Sequence, residues 1–155
     1  MTSTGLGLTA VPTHIVWDES LLAYNFGSTH PMSPLRLDLT ARLAKELGIF
    51  DLPQVTLGAP YVAEDRQLER VHDTAYVAAV REVSRNPQTS NAALGLGTED
   101  DPAFEGMHEA SARLVGGSLA AAEAVISGRA RHAVNFAGGM HHAFAGKASG
   151  FCIYN

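Results

Sequence analysis

Charge, aromatic side chains and cysteine are all scarce in this 155-residue sequence. Charged residues make up 17% of the chain and aromatic residues 7%, and Cys152 is the single cysteine. One cysteine cannot form a disulfide bond within the chain, which fits a reducing compartment. The 16 acidic residues outnumber the 11 basic ones, and no block of Lys and Arg is present. A nucleic-acid partner is therefore not expected.

The sequence also lacks long apolar segments. No run reaches the roughly 18 apolar residues of a membrane span, and residues 1–12 have neither the basic start nor the apolar stretch of a signal peptide. We therefore expect a cytoplasmic protein with no membrane partner. With 46% hydrophobic residues, the chain is long enough for one domain with its own core. Residues 1–13 are expected to form a flexible tail.

Short apolar runs alternate with helical patterns along the chain. Strands are predicted for the apolar runs at residues 14–17, 55–57 and 132–136. Helices are predicted for the periodic segments at residues 34–47, 63–71, 72–83 and 110–126. The third has an apolar face at Tyr76, Val77, Val80 and Val83, and Gly116-Gly117 within the fourth suggests a close packing partner, since glycine is a poor helix former. This alternation is typical of an α/β protein, so we predict three layers in which helices flank a mainly parallel sheet.

The helix that follows Ser33 has the clearest pattern. Ser33 before Pro34 is typical of a helix start, and Gly48 is typical of a helix end. Four leucines recur at four-residue spacing: Leu35, Leu39, Leu43 and Leu47. The spacing predicts one apolar helix face of the kind that packs against a core. Arg36 lies off this face, which predicts a surface position for it.

The tandem pair His141-His142 is the most informative motif. It comes after Gly138-Gly139, on the exit from the strand predicted at residues 132–136. Ligands and catalytic residues gather at the carboxyl ends of parallel strands, and imidazole is the side chain best suited to proton transfer near neutral pH. The pair is therefore a candidate catalytic site. From the residues alone, ordinary packed or surface histidines remain an equal alternative.

Two weaker candidates lie elsewhere. The acidic run at residues 99–101 lies at the end of a long loop predicted at residues 86–101, where solvated carboxylates are the ordinary interpretation. Its sharper interpretation is a rim that bonds a peptide or attracts a cationic substrate. Cys152, with a histidine as base, is a conceivable nucleophile, but its apolar surroundings in the sequence favour a small buried hydrophobe.

Two segments resemble the signature of the zinc-dependent histone deacetylase family: NFAGGMHHA at residues 135–143 and ASGFCIYN at residues 148–155. Three more agree in order and spacing: HPMSPLR at 30–36, VHDTAY at 71–76 and DPAFEG at 101–106. Within the family, the sequence is most similar to the bacterial acetoin utilisation deacetylases. The resemblance implies the arginase/deacetylase fold and a hydrolase that cleaves acetyl-lysine amides in proteins.

The resemblance also implies roles for individual residues. In the family, a zinc ion polarises the acetyl carbonyl and activates a water. His142 matches the general base that later acts as acid towards the leaving amine, and His141 matches its partner.

Four substrate-binding residues are implied as well. Gly150 and Phe151 match the walls of the tunnel for the lysine stem. Asp100 matches the rim aspartate that bonds the substrate backbone. Arg36 matches an arginine at the foot of the pocket.

The same resemblance predicts no metal ligand in this chain, because the family's two aspartates and one histidine that bind zinc match positions beyond Asn155. No other three-ligand set is evident at plausible spacing. We therefore expect residues 1–155 to be the N-terminal portion of a single deacetylase domain, incomplete at the C-terminus and inactive alone. Zinc would belong to the full-length parent. The last strand is expected to be an exposed, aggregation-prone edge.

Three alternatives stay open. An acetylpolyamine amidohydrolase would share the fold and the catalytic set, with a small acetylated amine in place of an acetylated protein as its substrate. A non-catalytic acetyl-lysine binding fragment would keep the tunnel without the chemistry. A cysteine hydrolase would use Cys152.

Overall fold

The computed structural model describes residues 10–155. Its three strands are β1 (Thr13–Val16), β2 (Val55–Gly58) and β3 (His132–Asn135). They form a parallel sheet in the order β2-β1-β3, in which Thr13 pairs with Val55 on one side and with His132 on the other. The predicted parallel α/β architecture is confirmed, and each strand lies within about one residue of its predicted position.

Four α-helices accompany the sheet: α1 (Leu35–Glu46), α2 (Asp65–Leu68), α3 (Thr74–Arg85) and α4 (Met107–Ile126). Short 3-10 turns occupy Glu19–Ala23, Ile49–Asp51, Pro87–Thr89 and Ala92–Leu94. α2 is much shorter than the helix predicted at residues 63–71. The loop predicted at residues 86–101 is confirmed, although the two later turns give it local order.

The predicted flexible tail at residues 1–13 is only partly open to comparison, because residues 1–9 lie outside the described residues. The carbonyl of Pro12 accepts hydrogen bonds from the backbone N–H groups of Arg131 (2.8 Å) and His132 (3.3 Å). Thr13 is the first residue of β1. The prediction is therefore wrong for these two residues. Pro12 is hydrogen-bonded to Arg131 and His132, and Thr13 is part of the sheet.

Most of the core is one cluster of buried side chains that come from the helices and the loops. The four apolar residues predicted to face the core from α3 are all buried: Tyr76, Val77, Val80 and Val83. They join one cluster with Leu21 and Met107, and with Ile153 and Tyr154 near the end of the chain. The buried cluster thus connects the sequence's early turn, its two long helices and the segment that follows the histidine pair.

Two glycines let α4 approach its neighbours closely. A Cβ atom on Gly116 would overlap the backbone carbonyl of Tyr61, and one on Gly117 would lie 2.8 Å from the side-chain nitrogen of Asn135. The prediction that this glycine pair has a close packing partner is confirmed. Because Asn135 ends β3, the contact at Gly117 sets the distance between α4 and the strand that leads to the histidines.

The leucine face of α1 is a correction to the sequence prediction. Its four leucines, Leu35 to Leu47, have exposed fractions between 55% and 67%, and Leu37 is only 5% exposed. The buried face is formed by Leu37, Ala41 and Ala44, which also recur at helical spacing. Two faces therefore satisfied the helical period, and the face with smaller residues packs inward within the described part of the chain.

β3 is an edge strand in the described structure, since it pairs with β1 alone among the described strands. Val134 in its middle is 39% exposed. Unpaired N–H and C=O groups on such an edge are a template for pairing with another chain. No helix among residues 10–155 is both long enough and apolar enough to cross a bilayer.

We predict that Gly116→Ala destabilises the protein, although alanine is the better helix former by about 1 kcal/mol. The added methyl overlaps the Tyr61 carbonyl, and overpacking of this kind typically costs about 1–3 kcal/mol. Thermal or urea unfolding measures the change. A Gly116→Ala protein as stable as the original would contradict the close approach.

We also predict that the double change Leu39→Glu and Leu43→Lys reduces self-association and leaves the fold intact. Both leucines are exposed, and the new pair at i, i+4 spacing supports the helix. Light scattering measures association, and circular dichroism measures unfolding. The matched control is Leu37→Glu, which buries a charge and should unfold the protein; equal damage from both variants would refute the assignment of faces.

Candidate active site

The turn after β3 carries the histidine pair. The backbone carbonyl of Asn135 accepts the N–H of Gly138 at 3.1 Å, and its side-chain oxygen accepts the N–H of Ala137 at 3.1 Å. Its side-chain nitrogen donates to the carbonyl of Leu114 in α4, also at 3.1 Å. Asn135 therefore ends the strand, shapes the turn and fastens both to α4. The pair follows at the carboxyl end of a parallel strand, as the sequence predicts.

The two imidazole rings of the pair lie together. The ring centroids of His141 and His142 are 4.1 Å apart, with 38° between the ring planes, and both residues are exposed. Nδ1 of His141 lies 2.6 Å from the carbonyl oxygen of Gly139. Because a carbonyl oxygen only accepts, Nδ1 carries the proton, and Nε2 of the neutral ring keeps a free lone pair.

Gly150 lies against the second ring. A Cβ atom on this residue would be 2.9 Å from both Cβ and Cγ of His142. Its φ of 55° lies in the left-handed region that favours glycine. The structure therefore brings Gly150 and His142 together, and any side chain at position 150 would displace the ring.

Phe151 adopts a strained backbone conformation. Its φ of 69° is in the left-handed region, where it is the one non-glycine residue among residues 10–155. The hydroxyl of Tyr24 donates to the carbonyl of Phe151 at 2.7 Å and accepts the N–H of Ile153 at 3.2 Å. A non-glycine residue keeps such a backbone conformation only where surrounding contacts stabilise it. Tyr24, which the sequence analysis did not single out, provides that hold.

We call Gly150 and Phe151 the aromatic wall. His30 links this wall to the acidic loop at residues 99–101. Its ring packs edge-on against the ring of Phe151, with centroids 4.6 Å apart. Nδ1 of His30 accepts the N–H of Met32 at 3.0 Å, so Nε2 carries the proton and donates to the carbonyl of Asp100 at 3.2 Å. His30 does shape a loop, as its place before Pro31 predicts. It also joins two of the predicted substrate-binding residues.

Arg36 lies at the start of α1 and is exposed, as predicted from the leucine spacing. Its Nη2 atom donates to the sulfur of Met32 at 3.5 Å. A small cavity beside it is also lined by Tyr24, Leu37 and Leu114. Tyr24, which bonds the carbonyl of Phe151, therefore lines the same cavity as Arg36.

Cys152 is 3% exposed. Its sulfur lies 3.5 Å from the carbonyl of Gly150 and 3.6 Å from the sulfur of Met140. A thiol that is enclosed in this way behaves as a small buried hydrophobe. The placement argues against the cysteine hydrolase alternative, because a nucleophile must reach its substrate.

Residues 10–155 contain no group of three His, Cys, Asp or Glu side chains placed to hold a metal ion. Catalytic zinc sites in proteins use three such ligands. The residues described here therefore do not fit zinc by themselves.

The acidic loop contains one buried carboxyl group, which follows two exposed ones. Glu99 and Asp100 are exposed, whereas Asp101 is 1% exposed, and its Oδ1 atom has no hydrogen-bond partner among the described residues. Burial, with a smaller contribution from the Asp100 charge, raises the pKa of Asp101 to about 6. The backbone of Asp101 is fixed nonetheless, since its N–H donates to Thr98 Oγ1 at 3.1 Å and its carbonyl accepts from Gly97.

A comparison with protein-family models matches residues 30–155 to the histone deacetylase domain. This match covers most of the chain and includes all six predicted site residues, from Arg36 to Phe151. The chain belongs to the histone deacetylase family. The resemblance read from the two signature segments is thereby confirmed.

Within this histone deacetylase family, the chain is similar to proteins named acetoin utilization protein AcuC. It is 44% identical to the protein of Bacillus subtilis (strain 168) over 142 residues, 90% of this chain and 36% of that protein. It is 40% identical to that of Staphylococcus xylosus and 37% identical to that of Staphylococcus aureus (strain MRSA252). Each of these matches covers 145 residues, 92% of this chain and 37% of the relative. The chain thus spans just over a third of the length of these curated relatives.

We predict that Asp101→Asn stabilises this deacetylase-family chain above pH 6. Because the folded-state pKa of Asp101 is raised, the stability linked to this carboxyl is fully present below pH 3.8 and is lost as pH rises through about 6. The amide mimics the protonated acid, so the variant should gain at most about 3 kcal/mol at pH 8 and little at pH 4. Urea unfolding across this range measures the difference.

The control for Asp101→Asn is Glu99→Gln, a change at an exposed neighbour. Surface changes of this kind alter stability by less than about 0.5 kcal/mol. An Asp101→Asn gain that does not depend on pH would contradict the raised pKa.

Proposed function

We propose that this chain supplies the proton-transfer pair and the substrate wall of a deacetylase of the AcuC type that hydrolyses acetyl-lysine amides in proteins. The observation that carries the proposal is the juxtaposition of His141 and His142 with Gly150 and Phe151. The two rings lie 4.1 Å apart, tilted by 38°, in the loop that follows β3, and Gly150 lies directly against the second ring. A reacting amide placed along this wall would meet both imidazoles.

The proposed reaction exchanges one bond for another. Water adds to the acetyl carbonyl carbon, the bond between that carbon and the lysine nitrogen breaks, and acetate and the free amine leave. We assign to His142 the removal of the water proton and its delivery to the leaving nitrogen. We assign to His141 the contact to the same water through Nε2, since its Nδ1–H is committed to the Gly139 carbonyl.

Substrate positioning falls to the wall and the rim. Phe151, held in its strained conformation by Tyr24, offers an aromatic face for the apolar stem of the lysine. The exposed carboxylate of Asp100 is placed to accept a backbone N–H of a bound peptide. Arg36 borders a small cavity that Tyr24 also lines, and we assign to it the foot of the pocket on the strength of family membership.

Zinc is part of the proposal for the whole enzyme, on the strength of family membership. When bound, it would polarise the acetyl carbonyl and the attacking water. The residues described here do not hold it, so we place its ligands outside them and expect the 155-residue polypeptide alone to be inactive. A cytoplasmic location is likewise part of the proposal.

An acetylpolyamine amidohydrolase is the second candidate, and one observation favours it. Glu99 and Asp100 are both exposed in the loop that borders Phe151 through His30. Two free carboxylates at a rim would attract a cationic polyamine as readily as they would bond a peptide.

The test compares two substrates with the gene product of this sequence, purified at its natural length. We predict that acetate is released from an acetyl-lysine peptide with a higher kcat/KM than from acetylspermidine, and that a chelator abolishes both reactions. His142→Ala should lower kcat by about 100-fold or more with little change in KM, because the ring acts on the reacting atoms and not on the lysine stem.

Each alternative has its own outcome in this assay. A preference for acetylspermidine would move the assignment to the polyamine enzyme. Activity that survives the chelator and is lost in Cys152→Ala would revive the cysteine hydrolase. Peptide binding by titration, with no bound zinc and no acetate release, would leave a non-catalytic binder, and robust chelator-sensitive cleavage by the 155-residue polypeptide would overturn the expected inactivity.

A further inference from the structure

The backbone that follows the histidine pair is held by residues distant in sequence. The carbonyl of Phe144 accepts a hydrogen bond from His72 at 3.1 Å, and the carbonyl of Ala145 accepts the N–H of Asp73 at 2.9 Å. Residues 143–145 belong to no helix or strand, and their local pairing is one isolated bridge between Phe144 and Lys147. Their positions therefore depend largely on side chains and loops that come from elsewhere in the sequence.

Asn155 provides a second attachment at the residue next to the pair. Its side-chain oxygen accepts the N–H of Ala143 at 3.0 Å, and its side-chain nitrogen donates to the carbonyl of Ala143 at 2.8 Å. The two bonds satisfy the backbone N–H and C=O of Ala143, as the backbone of a neighbouring strand would. Ala143 is buried, while His142 directly before it is exposed.

His72 connects the two attachments. Its Nε2 atom accepts the backbone N–H of Asn155 at 3.0 Å. Because Nε2 accepts, the ring proton is on Nδ1, which is the nitrogen that faces the carbonyl of Phe144. One neutral ring thus bonds Asn155 on one side and Phe144 on the other.

The surroundings of His72 favour this neutral form. The residue is 3% exposed, and its ring lies 5.6 Å from that of Tyr76 and 5.2 Å from that of Tyr154, centroid to centroid. Burial lowers the pKa of His72, an effect partly opposed by the bond to the Phe144 carbonyl. A protonated ring would present an N–H to the N–H of Asn155, and that bond would be lost.

We propose that Asn155 and His72 are positioning residues that set the place of the His141-His142 pair through hydrogen bonds to the backbone of residues 143 and 144. Asn155 acts on the residue next to His142, and His72 fixes both Asn155 and the residue after Ala143. Gly150 closes the arrangement from the other side, since its Cα lies where a larger residue would push His142 away. The catalytic consequence rests on the function proposed above, whereas the hydrogen bonds to residues 143 and 144 do not depend on it.

The first test measures hydrogen exchange in the gene product at its natural length. In Asn155→Ala, the amide of Ala143 should exchange about tenfold faster, because it loses a hydrogen bond that is buried in the original protein. Asn155→Asp keeps the oxygen that accepts this N–H, so protection of the Ala143 amide should return. The matched control is Asn86→Ala, which removes an asparagine oxygen that accepts the N–H of Gln88 instead.

The second test separates positioning from general stability. If the protein hydrolyses an acetyl-lysine peptide, Asn155→Ala should lower kcat by about 100-fold through misplacement of the pair, with KM unchanged, while Asn86→Ala changes neither. Where Asn155→Ala fails to fold, Asn155→Ser takes its place, since a serine side chain is too short to reach both groups of Ala143.

The outcomes distinguish this inference from the proposed function. An original protein with no deacetylase activity would refute the function, and the exchange of the Ala143 amide would still decide the inference. Unchanged exchange at Ala143 in Asn155→Ala would show that Asn155 does not hold this residue and would overturn the inference. Faster exchange together with an unchanged kcat in an active enzyme would overturn the positioning role.

Discussion

The buried segment at residues 151–155 must find partners for its backbone groups, and the candidate site depends on how it does so. Cys152, Ile153 and Tyr154 are almost fully buried, yet the segment belongs to no helix or strand. A buried N–H or C=O without a partner costs about 1–3 kcal/mol. Side chains from distant parts of the chain therefore take the place of a neighbouring strand.

Three side chains supply most of these bonds. The hydroxyl of Tyr24 bonds the carbonyl of Phe151 and the N–H of Ile153. The hydroxyl of Tyr76 donates to the carbonyl of Ile153 at 2.8 Å, and His72 accepts the N–H of Asn155. Burial raises the pKa of both phenols well above their ordinary value, so they remain donors throughout the accessible pH range.

Fixing this segment fixes the site on both of its sides. At its beginning, Gly150 and Phe151 meet the ring of His142 and the ring of His30. At its end, Asn155 grips Ala143. The histidine pair is exposed, but the chain on either side of it is tied to buried groups, which is the arrangement that the proposed proton transfer requires.

The sequence was sufficient for the parts of this structure that depend on local pattern. Alternation of apolar runs with helical periods predicted the parallel sheet and the long helices, and the two glycines of α4 predicted a close contact. Periodicity failed for α1, because both the leucine face and the face with Ala41 and Ala44 recur at helical spacing. Which face turns inward is decided by packing partners that are remote in sequence.

The residues of the candidate site likewise divide into those that the sequence indicated and those that it did not. Position after a strand indicated His141 and His142, and the family resemblance indicated Asp100, Gly150, Phe151 and Arg36. Tyr24, His72 and Asn155 were not assigned a role, since their bonds to the site span between 12 and 129 positions of sequence. No local pattern marks a tyrosine or an asparagine as the partner of a distant backbone group.

The proposed function requires that the imidazole pair and the aromatic wall face one substrate. A crystal structure of the protein with an acetyl-lysine peptide held by an uncleavable amide analogue tests this requirement most directly. We predict that the lysine stem lies against the ring of Phe151 and that a nitrogen of His142 lies about 2.6–3.2 Å from the leaving nitrogen or the attacking water. A peptide bound away from this wall, or a pair that faces away from the acetyl group, would contradict it.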